Sequence, residues 1–276
     1  MLFNLIYLLS ALSAAGICYI GGGFGSLNWI WLLPLGFVGC FLLCLLGCFL
    51  VVWILARRSG VGGEYEQDDP FIRKIVKLYA PAVFRLLGCR IDAAGTEKLP
   101  ADGRFLLVCN HLQDLDPGVI LAALPQAQLA FIAKKEVLGM PILNALMPRL
   151  LCQFIDREND RNALKTILKC ISILKEDKAN VAVFPEGKIT GDNKLHRYRP
   201  GVFKIAQKAK VPIVVCTLFG TQNIPGNLRK LRRTHIRFRL LEVIPAADLE
   251  GVNTPQIAER VYAIMAADLG PENVAD

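Results

Sequence analysis

The chain opens with two long runs free of charged residues. Leu2–Ile20 is interrupted only by Asn4, Ser10 and Ser13, and Trp29–Ala56 carries no charge at all. As a helix rising about 1.5 Å per residue, each is long enough for a hydrocarbon core of about 30 Å. Gly21-Gly22-Gly23-Phe24-Gly25-Ser26 between them reads as a turn. The pattern predicts a membrane-anchoring helical hairpin over residues 1–58, then a Gly-rich and acidic linker over 59–69. Two full spans and a hairpin dipping into one leaflet have the same topology, and both remain open. A cleaved signal peptide is disfavoured because no Lys or Arg precedes the first apolar run. Arg57-Arg58 places the exit of the second run in the cytoplasm.

Past the linker the pattern changes. Phe71–Leu87 is amphipathic, with Arg73, Lys74, Lys77 and Arg85 among its apolar residues. Such a helix suits an anionic membrane surface or one face of a domain core, and Pro81 is expected to bend or divide it. Short β-like runs occur at Phe105–Cys109, Leu129–Ala133, Cys152–Ile155, Val181–Phe184, Ile213–Leu218 and Ile236–Leu241. Between and after them Pro117–Leu124, Arg161–Lys175, Gly201–Lys208 and Thr254–Leu269 read as helices. Alternating strands and helices predict an α/β domain over residues 70–276, a mixed and largely parallel sheet flanked by helices.

Composition sharpens the division. Of 276 residues 53% are hydrophobic and 20% charged, the formal net charge is +8, and no Lys, Arg, Asp or Glu precedes Arg57. Charge is therefore about a quarter of the chain from Arg57 onward, as in an ordinary globular domain. Disorder, a secreted mini-protein and a polytopic transporter are excluded. The cysteines form no CxxC pair and no zinc spacing, which reads as reduced cytoplasmic usage. Gly36, Cys40, Cys44 and Cys48 recur every four residues, a small-residue face that a partner helix can approach closely.

Chemistry-bearing residues gather where strands end. Asn110-His111-Leu112-Gln113-Asp114-Leu115-Asp116-Pro117 comes directly after the first apolar strand, and loops at strand C-termini are where α/β proteins place ligands. Asp116-Pro117 also has the form of a helix start, with Asp as N-cap. Phe184-Pro185-Glu186-Gly187-Lys188 leaves another strand through a sharp turn, with Arg197 and Arg199 downstream. Phe154-Ile155-Asp156-Arg157 and Ala133-Lys134-Lys135-Glu136 end two more. Any one of these is readily a solvated loop. Together, one histidine, several carboxylates and several cations suit a site that binds an anion and moves a proton.

These motifs resemble those of the glycerolipid acyltransferases, most closely the bacterial 1-acylglycerol-3-phosphate acyltransferases. H-x4-D is met by His111 and Asp116, and F-I-x-R by Phe154-Ile155-Asp156-Arg157. F-P-E-G-T-R is met as far as Phe184-Pro185-Glu186-Gly187, and an apolar run with proline by Val211-Pro212-Ile213-Val214-Val215. Their order matches the family, and the resemblance runs from about Pro70 to beyond Gln222. The third motif departs: Lys188 and Ile189 stand where Thr and Arg are usual, and Leu151 begins the second where a glycine is common.

The resemblance implies transfer of a fatty acyl group from a thioester to a glycerol hydroxyl. His111 would be the general base and Asp116 its orienting carboxylate, with no covalent enzyme intermediate and no metal or cofactor. Arg157, Lys134 and Lys188 would hold the acceptor's phosphate, Glu186 and Gly187 would shape its pocket, and the Gly187 N–H is a candidate oxyanion donor. The implied partners are acyl-CoA or acyl carrier protein, lysophosphatidic acid or a related lysolipid, and the bilayer, at the cytoplasmic face of a bacterial inner membrane. Another lysophospholipid acceptor, a degenerate lipid- or carrier-binding module and a hydrolase are the alternatives. Arg229, Lys230, Arg232, Arg233, Arg237 and Arg239 form a basic cluster suited to the donor or to anionic lipid. A nucleic-acid partner is not implied, because aromatic interleaving stops at Phe238.

Overall fold

Four consecutive buried residues in each of two short runs mark the centre of a sheet. In the computed structural model these are β2 (Leu106–Cys109) and β5 (Asn180–Val183), covered on both faces as central parallel strands are. Residues 2–21, 29–58, 65–156 and 160–275 are described. They fall into two compact units, Met1–Gly62 and Gly63–Asp276.

The second unit is built on seven strands: β1 (Cys89–Ala94), β2, β3 (Leu129–Lys134), β4 (Gln153–Ile155), β5, β6 (Ile213–Phe219) and β7 (Thr234–Ile244), in the order β1-β7-β6-β2-β5-β3-β4. Every neighbouring pair is parallel except β6 and β7. This is the mixed, largely parallel sheet that the alternation predicts. Period-two side-chain alternation divides each strand between two cores. Leu106, Val108, Val181, Val183, Ile213 and Val215 face one core, shared with α6 (Asp160–Lys175) and α9 (Thr254–Leu269). Leu107, Cys109, Ala182, Val214 and Cys216 face the other, with α3 (Pro70–Leu86) and α4 (Asp116–Ala123). Three short helices complete the unit: α5 (Pro141–Leu146), α7 (Lys204–Ala209) and α8 (Ile224–Arg229).

Helix α3 is a single element. Pro81 does not divide it: Ile72 and Phe84, on either side, are both buried in the same core and keep one element. Arg73, one of its four basic residues, faces inward. It is buried, donating to Leu129 O at 2.8 Å and Leu150 O at 3.3 Å, and it pairs with Asp68 at 2.6 Å. Asp69 caps the helix by accepting from the N–H groups of Phe71 and Ile72. The acidic end of the segment read as a linker is thus tied to the domain.

The first unit is a helix pair, α1 (Leu2–Ile20) and α2 (Trp29–Arg58). Ile6, Ser10, Ala14 and Cys18 recur every four residues and are the buried face of α1. Gly36 meets that stripe: a Cβ there would lie 3.5 Å from Ala14 Cβ. Tyr7 stacks on Phe41 and Phe37, with centroids 5.1 and 6.0 Å apart. Leu8, Leu12, Leu35 and Leu43 are exposed. Among the described residues no helix is long and apolar enough to cross a membrane. A crossing hairpin, one of the two expected forms, is not seen among them, and what is seen is a helix pair with an apolar exterior. The side chains of residues 1–5 and of much of 45–58, and the turn over 22–28, lie outside the described residues.

Candidate active site

The site is assembled at the C-terminal edge of the parallel strands. As β2 ends, Asn110 is buried and its amide bridges to β6, donating to Leu218 O at 2.9 Å and accepting from Leu218 N at 2.7 Å. That pair fixes where the next residue, His111, leaves the sheet. Asp116 does not cap α4 as its place before Pro117 predicts. It instead begins the helix and turns its side chain back toward the preceding loop. Its Oδ2 accepts from Leu112 N at 2.6 Å and Gln113 N at 2.8 Å, and lies 2.9 Å from His111 Nδ1. The carboxylate is fully buried, and Oδ1 has no partner among the described residues. Loop, helix start and imidazole are thus organised by a single oxygen.

The face of the imidazole is held as well. Phe184, at the end of β5, stacks on His111 with centroids 4.1 Å apart and planes 17° apart. Phe131 of β3 stands behind it, 6.2 Å from Phe184. Motif reading did not give Phe184 this role, although it is the first residue of the third motif. With Nδ1 committed and one face covered, Nε2 is the ring nitrogen left for a substrate.

Glu186 also sits differently from the expectation of a pocket-lining group. Both its oxygens meet backbone: Oε1 accepts from His111 N at 2.9 Å and Oε2 from His196 N at 3.4 Å. Burial pushes its carboxyl up to about 8, against the opposing effect of those two N–H groups, and the charges of Asp116 and Asp192 raise it further. Glu186 therefore clasps the His111 loop to the 192–199 loop. Gly187 comes next at φ +75°, and its N–H donates to Phe184 O at 3.1 Å. That bond closes the turn and removes the Gly187 N–H as an oxyanion donor.

The cations are distributed around this edge. Arg199 lies against Gly187, where a Cβ would come within 3.1 Å of its Nε and 3.2 Å of its Cδ. Its backbone N–H reaches Pro185 O at 2.9 Å. Lys188 is exposed beside them. Lys134 ends β3 opposite Ile155 of β4, also exposed, with β5 between its strand and β2. Neither lysine forms an ion pair among the described residues. Arg157 lies outside the described residues. Cys109 is buried in the core on the face of Leu107, and burial holds its thiol well above the ordinary range, so it is packing and not a nucleophile. Among the described residues no three His, Cys, Asp or Glu side chains gather as metal ligands do.

Residues 90–218, which contain all of these motifs, match the Acyltransferase family. That stretch resembles an acyltransferase domain. A 1-acyl-sn-glycerol-3-phosphate acyltransferase of Limnanthes alba is 28% identical over 179 residues, covering 63% of this chain and 63% of that one. A probable 1-acyl-sn-glycerol-3-phosphate acyltransferase of Mycoplasma pneumoniae is 27% identical over 201 residues, covering 70% of this chain and 74% of the relative. The chain thus spans somewhat under two thirds of the Limnanthes relative's length. The crystal structure of the 1-acyl-sn-glycerophosphate (LPA) acyltransferase from Thermotoga maritima shares the fold, with a TM-score of 0.61 and 22% identity over 96% of this chain and 95% of that one.

Proposed function

We propose that this acyltransferase moves a fatty acyl group from acyl-CoA or acyl carrier protein to the free hydroxyl of 1-acyl-glycerol-3-phosphate, giving phosphatidic acid. The observation that carries the reading is the His111–Asp116 pair at the end of β2, within the matched domain. The names of the relatives support the acceptor.

A glycerol hydroxyl is a weak nucleophile at neutral pH. His111 Nε2 takes its proton while the oxygen attacks the thioester carbonyl. Asp116 holds the tautomer through Nδ1 and balances the imidazolium that forms. The tetrahedral intermediate collapses by breaking the C–S bond, and the departing thiolate receives the proton from His111. The ester remains on the acceptor, and His111 returns to its starting state. Phe184 and Asp116 fix the ring in two directions, so little orientation has to be found on binding. Arg199, Lys188, Lys134 and Arg157 supply positive charge for the acceptor's phosphate, Arg199 standing where Ile189 leaves the third motif without its usual arginine. That exchange also favours a second reading, in which the same chemistry serves a different lysophospholipid.

We place the enzyme at the cytoplasmic side of a membrane, attached through residues 1–58. The support is the apolar exterior of the helix pair, the absence of charge before Arg57 and the Arg57-Arg58 pair at the end of the second apolar run. The test is acyl transfer by the purified protein from oleoyl-CoA and from acyl carrier protein, with lysophosphatidic acid and a panel of other lysolipids, beside His111→Ala. Product from lysophosphatidic acid that is lost in the variant is the expected result. Product from another acceptor alone would move the assignment to the second reading. Activity undiminished by His111→Ala would overturn the mechanism.

A further inference from the structure

The basic cluster separates into two groups once the chain is folded. Arg239 pairs with Asp268 at 2.9 Å, and Arg237 lies over the ring of Phe219 at 5.4 Å. Arg229, Lys230, Arg232 and Arg233, at the end of α8 and in the turn before β7, are all exposed, and no acidic side chain pairs with them among the described residues. Between them stands Leu231, which is 94% exposed, and just before them Leu228, which is 43% exposed. A leucine this bare, held at φ +50° on a turn flanked by four cations, contributes nothing to the core beneath it.

The place of this turn in the sheet gives it meaning. Strand β6 runs parallel to β2, so Phe219 lies at the edge from which His111 emerges. Strand β7 runs back against β6, pairing Arg237 with Phe219, and so begins at that same edge. Strand β1 runs parallel to β7 with Cys89 opposite Thr234, and Thr234 N donates to Gly88 O at 3.1 Å. The end of α3 is thereby brought to the turn. It adds Val83 at 45% and Leu86 at 48% exposure, with Arg85 exposed between them.

We propose that the α8–β7 turn, with the end of α3, is a second membrane contact of this protein, seating leucines in an anionic lipid surface beside the catalytic edge. Two features choose lipid over an anionic protein or nucleotide. Cations alone would serve either of those, leaving Leu231 in water. A lipid surface takes up both kinds of group at once, the cations at the headgroups and the leucines below them. The proposal deepens the membrane-attached reading, on which it rests, and adds a contact made by the catalytic domain itself.

The native tryptophans, Trp29, Trp31 and Trp53, all lie in α2, so a new one reports separately. The full chain and its Leu231→Trp variant would be placed in nanodiscs of phosphatidylglycerol or phosphatidylcholine, with plain or brominated acyl chains. The expected result is that the fluorescence added by the variant is quenched by about half or more in brominated phosphatidylglycerol and much less in phosphatidylcholine. Adding Arg232→Glu and Arg233→Glu should abolish that increment while acyl transfer to detergent-dispersed acceptor is unchanged. Leu228→Trp repeats the test should Leu231→Trp fold poorly. An increment indifferent to brominated lipid overturns the proposal, as does one shielded by acyl carrier protein and not by lipid. Quenching of the native tryptophans is read separately: its absence would count against attachment through residues 1–58 and not against the turn.

Discussion

His111 meets Asp116 through Nδ1, 2.9 Å from an oxygen that also accepts the N–H groups of Leu112 and Gln113. The carboxylate therefore shapes the loop as well as orienting the imidazole, and two substitutions separate the roles. His111→Ala removes only the imidazole, and if that ring is the proposed base kcat should fall by about 10²–10⁴-fold with little change in the acceptor's KM. Asp116→Asn keeps an oxygen for the loop donors and can turn its NH2 toward the side of the unpartnered Oδ1. It should stay folded, with a modest loss of Tm, yet lose kcat on a similar scale because the imidazolium is no longer balanced. Steady-state kinetics and thermal melts of both variants check this. A fully active Asp116→Asn would confine Asp116 to the loop.

Much of the domain was legible because its signals are local. Four-residue apolar runs such as Leu106–Cys109 are long enough to declare a buried strand, and Thr254–Leu269 is a helix with the limits its pattern predicts. Strand β1 was not legible: Cys89-Arg90-Ile91-Asp92-Ala93-Ala94 is an edge strand that forms only by pairing with β7, far away in the chain. Helices α5 and α8, at six residues each, are too short to show a period. At the site, the place of His111, Asp116 and Glu186 after strand ends and the family resemblance singled them out, and the structure brings the three together. Neither signal showed that Glu186 faces backbone, that Phe184 covers the imidazole or that Arg199 lies on Gly187, because each depends on a loop returning from elsewhere.

Glu186 makes stability depend on pH in a direction that can be worked out. Burial raises its carboxyl from an ordinary 4.5 to about 8 in the folded chain. Between those values the folded chain keeps a proton that the unfolded chain releases, so this contribution to stability falls as pH rises. It is complete below 4.5 and gone once pH passes about 8. Glu186→Gln cannot titrate and should flatten that part of the Tm-against-pH curve. Glu186→Ala also cannot titrate, and it leaves the N–H groups of His111 and His196 without their acceptor, which should cost about 1–3 kcal/mol at acidic pH and less as the wild-type contribution is lost. Melts of the three proteins between about pH 5 and about pH 9 decide the matter. An unchanged slope in Glu186→Gln would show that another group carries the dependence.

Gly187 and Arg199 form a contact that a single methyl group would disturb. At φ +75° a side chain is already strained, and a Cβ would press on Arg199 Nε and Cδ. Gly187→Ala should therefore displace the guanidinium and cost about 1 kcal/mol or more in stability. In acyl transfer its main effect should be a higher KM for a phosphate-bearing acceptor. Arg199→Gln should reproduce the KM effect without the loss of Tm, and Lys188→Gln should show a smaller one, since a lysine acts as a single exposed point charge. A KM unmoved by Arg199→Gln would assign the phosphate to the other cations.

Arg73 tests how the catalytic edge is supported from the opposite side of the sheet. Its guanidinium reaches Leu129 O at the start of β3 and Leu150 O just before β4, and Asp68 holds it at both oxygens, at 2.6 and 3.1 Å. Arg73→Met would strand a nearly buried carboxylate at Asp68 and two carbonyls, a loss of about 3–5 kcal/mol. Adding Asp68→Asn removes the stranded charge, so the double variant should recover part of that loss. Recovery should be incomplete, because Leu129 O and Leu150 O still lack a donor, and buried acceptors left unpaired cost about 1–3 kcal/mol each. The order expected in thermal melts is parent, then double variant, then Arg73→Met. A double variant as stable as the parent would mean that the ion pair matters only to itself, and that α3 is held without it, by contacts such as Ile72 and Phe84 in the core and Asp69 with Arg149.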